Sequence, residues 1–167
     1  MEMDLKEAFQ TAITGEIEGR ELYKAAADKT SDKKARESFQ MLADEEQKHL
    51  DTLVKLAREY DEGKDVEIPD LPRPTSFQDA ESPIFSKEFK QTVADKHFEM
   101  ATLSIGIKLE LESEKFYRQM AKEAGVPKLE GLFNHLADWE RGHYNYLNKQ
   151  IGFFQSYYTN KYSFFRF

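Results

Sequence analysis

Two sets of carboxylate and imidazole side chains recur in this chain at an offset of 94 residues: Glu16, Glu46 and His49 in the first half, and Glu110, Glu140 and His143 in the second. Within each half, one Glu is followed on a later helical stretch by Glu-x-x-His. That spacing stacks a carboxylate and an imidazole one turn apart on the same helix face. Duplicated, the pattern supplies four carboxylates and two imidazoles, a complement with which a four-helix bundle can hold two metal ions. Oxygen-rich ligation with one nitrogen per metal favours iron or manganese over copper, and affinity alone leaves zinc open. The same offset relates Tyr23 to Tyr117, Phe39 to Phe133, and Leu42-Ala43-Asp44 to Leu136-Ala137-Asp138.

These residues need long helices to position them. The periodicity predicts a first helix from about Asp4 to Lys29, with Asp4 and Glu7 as a capping pair, and a second from a Ser31 or Asp32 cap to about Tyr60. A third is predicted over Asp95 to Ala124, stopped by Gly125, and a fourth from Pro127 to about Ile151. Both short connections imply antiparallel hairpins. Between the hairpins lie four of the five prolines, Pro69, Pro72, Pro74 and Pro83. A stretch over about 61–94 can be neither one helix nor a tight turn, so it reads as a long crossover along the bundle. The expectation is an all-α bundle over 1–152, made of two duplicated helical hairpins, followed by a tail over 153–167.

Alternating steps of four and three along each helix trace the core seams. Leu5, Phe9, Ala12, Glu16, Gly19 and Tyr23 form one, and Phe39, Leu42, Glu46, His49 and Leu53 the next; the later helices repeat the pattern around Glu110, Glu140 and His143. The polar residues interrupt otherwise apolar or small seams near mid-helix. Burying each carboxylate costs on the order of several kcal/mol unless opposite charge meets it. No Lys or Arg stands at that level of the seams, whereas two divalent cations would balance four carboxylates. The bland alternative is a hydrogen-bonded cluster left by duplication of an ancestral site. Tyr23 and Tyr117, two turns beyond Glu16 and Glu110, could hydrogen-bond a ligating carboxylate or simply pack in the core. Asp44 and Asp138 could orient the histidines. Glu45 aligns with Trp139 and reads as a surface group or a support behind the ligands, while Glu18 and Glu112 fall on a solvated face. His97 and His135 read as ordinary surface or boundary residues.

Composition narrows the partners. A formal charge of −7 disfavours nucleic acid. The absence of cysteine excludes disulfides, iron–sulfur clusters and thiol catalysis. Met1-Glu2-Met3-Asp4 is unlike a signal peptide and no apolar run is long enough for a membrane span, so a cytoplasmic location is expected. After Gly152, eight of fifteen residues are aromatic. Such a strip must be covered, by the bundle end or by a second subunit, and a homodimer is expected.

With these residues placed, the chain resembles the rubrerythrin-like members of the ferritin-like superfamily. The resemblance rests on Glu16-x-x-Gly19-x-x-x-Tyr23, Glu46-Gln47-Lys48-His49, Glu110 to Tyr117, and Glu140-Arg141-Gly142-His143. It implies a ferritin-like four-helix bundle with a left-handed crossover and a di-iron centre, two iron ions per chain, in which Glu46 and Glu140 bridge. Glu16 and Glu110 would then be terminal ligands with His49 and His143. Two features depart from the family pattern. Rubrerythrins proper carry a four-cysteine, rubredoxin-like domain, and this chain has no cysteine; they also carry a further carboxylate where this chain has Ser113. The remaining symmetric ligand set looks closer to the ferroxidase centre of bacterioferritins. The expected activity is that of an oxidoreductase reducing hydrogen peroxide or dioxygen, with an electron donor the sequence does not name. The alternatives are an iron-sequestering protein and a bundle stabilised by metals.

Overall fold

The computed structural model describes residues 4–63, 68 and 97–161. Within them run four helices: α1, Leu5–Lys29; α2, Lys33–Asp61; α3, His97–Glu123; and α4, Pro127–Lys161. Most of the crossover read over 61–94 lies outside the described residues, as do residues 162–167.

Local chemistry sets the helix ends. The Asp4 carboxylate accepts from the backbone N–H groups of Lys6 and Glu7, and Asp32 accepts from that of Ala35, so each satisfies donors that a first turn leaves open. Gly125, at φ 62°, ends the α3–α4 turn in a conformation that side chains with a Cβ rarely adopt. One boundary differs from the sequence reading. The fourth helix does not stop near Ile151 but passes Gly152 and reaches Lys161, carrying the start of the aromatic segment with it. A single interior Gly costs only about 1 kcal/mol, too little to end a long helix. The aromatic side chains after Phe153, to which the reading of a tail packed on the bundle or on a second subunit applies, lie outside the described ones.

The two hairpins, α1–α2 and α3–α4, pack together with α1 against α3. The apolar core is divided. One cluster joins Tyr23, Ala26, Phe39, Leu42, Leu103 and Leu147; the other joins Phe9, Leu53, Leu56, Tyr117, Phe133 and Leu136. Partners at the 94-residue offset fall in opposite clusters: Tyr23 and Tyr117, Phe39 and Phe133, Leu53 and Leu147. The repeat is therefore a two-fold in space, and the six residues singled out above lie between two apolar plugs that it exchanges. Gly106 permits this packing, because a Cβ there would sit 3.0 Å from both Leu147 and the Tyr23 hydroxyl. Among the described residues no helix is long and apolar enough to cross a membrane.

Phe133 is wholly buried and packs on Phe9 and Tyr117. Phe133→Ala should lower the unfolding free energy by about 3–5 kcal/mol, read from the denaturant midpoint. A loss below about 1 kcal/mol would show that this plug does not carry the fold.

Candidate metal centre

Burial and position together place the polar layer. Glu16 sits on α1, Glu46 and His49 on α2, Glu110 on α3, and Glu140 and His143 on α4, each 3% exposed or less. They form two overlapping groups, Glu16–Glu46–His49–Glu140 and Glu46–Glu110–Glu140–His143, in each of which one donor atom per residue lies within 4.8 Å of the others. Glu46 and Glu140 belong to both groups.

Each imidazole turns its Nδ1 inward. That of His49 lies 3.1 Å from Glu16 Oε2, 3.3 Å from Glu140 Oε1 and 3.6 Å from Glu46 Oε2. That of His143 lies 3.0 Å from Glu46 Oε1, 3.5 Å from Glu110 Oε2 and 3.6 Å from Glu140 Oε2. The rings stack with centroids 5.9 Å apart. The tyrosines close the layer crosswise: the Tyr23 hydroxyl donates to Glu110, and the Tyr117 hydroxyl to Glu16. Each carboxylate is held by the tyrosine of the opposite hairpin.

Electrostatics within the layer are polarised. Burial, with the charges of Glu140 and Glu46 added, pushes Glu16 well above the ordinary carboxylate range; burial and Glu46 do the same to Glu110. Burial also raises Glu46 and Glu140, and the charge of Glu140 adds to it at Glu46, but hydrogen bonds from the facing imidazoles, joined by Glu110 at Glu140, outweigh this and both end below the ordinary range. Burial opposes charge on His49 and His143, yet Glu16 and Glu110 respectively lead the carboxylates that raise both well above the usual imidazole value. Burial and the adjacent carboxylates push Tyr23 and Tyr117 upward, so both remain hydrogen-bond donors. The metal-free layer thus favours protons on Glu16, Glu110, His49 and His143 and disfavours them on Glu46 and Glu140. Two divalent ions would replace those protons without changing the net charge.

The donor set fits such ions. Six convergent oxygen and nitrogen ligands suit iron or manganese. The buried Oε1 atoms of Glu46 and Glu140 have no aligned hydrogen-bond donor among the described residues.

Asp44 and Asp138 do not orient the histidines. Asp44 is exposed and accepts from Gln40, and Asp138 is exposed and pairs with Arg118. Five residues before each His, they point about 140° away from it around the helix. Glu45 takes up that place instead: it is buried and meets His143 Nε2 at 2.7 Å and Trp139 Nε1 at 3.0 Å. A further pair went unread: Arg141 makes a two-point ion pair with buried Glu114 at 2.9 and 2.8 Å, tying α4 to α3 beside the layer. Glu18 and Glu112 are exposed. His135 sits edge-on to Trp139, and the His97 side chain lies outside the described ones.

The family model described as Rubrerythrin matches residues 7–102 and again residues 101–161. The chain belongs to the rubrerythrin family. Among solved structures, a hypothetical protein from Pyrococcus furiosus is similar at 28% identity, with 93% of this chain and 92% of that one covered and a TM-score of 0.67. A comparison with curated proteins finds no match. Family and geometry agree on a ferritin-like four-helix bundle whose buried Glu/His layer can hold metal.

The proton-balanced layer has a measurable consequence. Groups with raised folded pKa values stabilise the fold fully below their unfolded values, and that contribution is lost as pH rises through the folded values. Glu16, Glu110, His49 and His143 are of this kind, with ordinary values of 4.5 and 6.5. Glu46 and Glu140 act oppositely, but only at acid pH. Metal-free protein should therefore melt at progressively lower temperature as pH rises above 6.5, while the gain on adding a divalent ion widens. A metal-free melting temperature that climbs over that window would contradict the proton balance.

Proposed function

We propose that Glu16, Glu46, His49, Glu110, Glu140 and His143 hold two iron ions, and that the protein is an oxidoreductase reducing hydrogen peroxide or dioxygen. The observation that carries this reading is the pair of buried ligand groups sharing Glu46 and Glu140. Two groups with two common carboxylates would hold two cations next to each other, an arrangement suited to a two-electron reaction. Iron held there as a pair would supply the redox chemistry, namely the two electrons by which one peroxide and two protons become two waters. The chain's own residues supply the rest. Tyr23 and Tyr117 fix Glu110 and Glu16 through their hydroxyls. The apolar clusters on either side keep bulk water out of the layer.

A second reading has its own support. The 167 residues contain no cysteine to hold a rubredoxin-type iron as an internal electron relay, and Ser113 stands where a further carboxylate would be expected. A protein that binds and oxidises iron once, as a sequestering step, needs neither. Manganese or zinc would fit the same donors.

Anaerobic titration of metal-free protein with Fe(II) should give two tightly bound ions per chain. Glu46→Ala combined with Glu140→Ala should bind no pair while keeping its helical circular dichroism. Retention of two tight ions by that variant would overturn the ligand assignment. Repeated cycles with peroxide and an added reductant would support the oxidoreductase, and a single stoichiometric oxidation would favour sequestration.

A further inference from the structure

The 94-residue symmetry fails at one pair that touches the imidazoles. Positions 45 and 139 are equivalent, yet one is Glu and the other the chain's single Trp. Both are buried, and they meet across the bundle: Trp139 Nε1–H donates to Glu45 Oε2 at 3.0 Å. The same oxygen lies 2.7 Å from His143 Nε2. With Nε2 turned to Glu45, the ring is oriented so that Nδ1 is the nitrogen aimed at Glu46, Glu110 and Glu140, 3.0, 3.5 and 3.6 Å away.

His49 is built differently. Its Nε2 is buried and has no hydrogen-bond partner among the described residues. Its ring faces Trp139 edge-on, centroids 4.7 Å apart at 77°. No carboxylate among the described residues stands behind that ring to orient it, and its Nδ1 is hydrogen-bonded to Glu16 Oε2 at 3.1 Å. Metal binding at His49 must first break that hydrogen bond.

We propose that Glu45, held by Trp139, is a positioning residue that makes the two metal positions unequal, so that a divalent ion loads first at His143 and a second, more weakly, at His49. A carboxylate behind a ligating imidazole fixes its orientation and strengthens it as a donor, and losing such a partner typically lowers metal affinity by about 10–100-fold. One residue pair thus acts on both halves of the layer. Glu45 supports one histidine, and the indole occupies the space where the other would have found its carboxylate. The consequence is a retained ion beside an exchangeable one. This inference rests on the metal pair proposed above.

The test is an anaerobic Co(II) titration of the metal-free full chain carrying 15N-labelled histidine, following the imidazole resonances and the Co(II) absorption together. The first equivalent should perturb His143 as a direct ligand, with the His49 signals following in a second step about 10–100-fold weaker. Glu45→Ala should collapse the two steps into one and abolish the order of filling. Glu45→Gln, which keeps an acceptor without the charge, should preserve the order and narrow the gap. If Glu45→Ala does not fold, Trp139→Phe removes only the indole donor and should also narrow the gap. Two ions bound with equal affinity, filling that begins at His49, or a gap unchanged in Glu45→Ala and Trp139→Phe would each overturn this inference while leaving the metal pair standing. No tight Co(II) at all would overturn both.

Discussion

Four carboxylates buried in one layer repel one another, and the rest of the bundle is arranged around that repulsion. At separations of a few ångströms in a medium of low polarisability, their mutual energy would exceed the net stability of a domain this size if all were ionised and unbalanced. Among the described residues no Lys or Arg enters the layer. Two imidazoles face the four carboxylates, two tyrosine hydroxyls donate to the outer ones, and protons or cations complete the balance. Such a layer stands ready for divalent ions because neutrality can be reached in either form.

The same constraint explains the divided core. A continuous apolar seam would be more stabilising, but the polar layer splits it into two clusters with symmetry-related members. Each cluster is anchored by a buried tyrosine whose ring packs among apolar groups and whose hydroxyl reaches into the layer. Tyr23 and Tyr117 therefore belong to the packing and to the chemistry at once. Core packing and a hydrogen bond to a buried carboxylate occur together at both tyrosines.

Much of this was legible because duplication writes the same physics twice. A single Glu-x-x-His has little weight, but paired at a fixed offset, each on an apolar seam, such motifs predicted both hairpins and the six inward-facing side chains. What escaped was cross-bundle detail. Glu45 lies one residue off its own seam, and its partners, His143 and Trp139, sit on a helix more than ninety residues away. No periodicity within α2 carries that information. Asp44 and Asp138 misled for the complementary reason: they repeat faithfully, but what repeats is an exposed position bonded to Gln40 in one half and Arg118 in the other. Repetition preserves solvated surfaces as well as sites. The fourth helix was read too short because Gly152 and a run of aromatics resemble punctuation, whereas propensity costs of about 1 kcal/mol rarely end a helix already propagating.

The proposed layer holds a pair of metal ions through the inward nitrogens of both histidines and the four carboxylates. Crystals of the protein grown with Fe(II) or Mn(II) and measured at the metal's absorption edge test it directly. The account predicts two anomalous peaks flanked by Glu46 and Glu140, one against Nδ1 of His49 and the other against Nδ1 of His143. A layer without anomalous density, or metal found only at surface carboxylates such as Glu18 and Glu112, would contradict it.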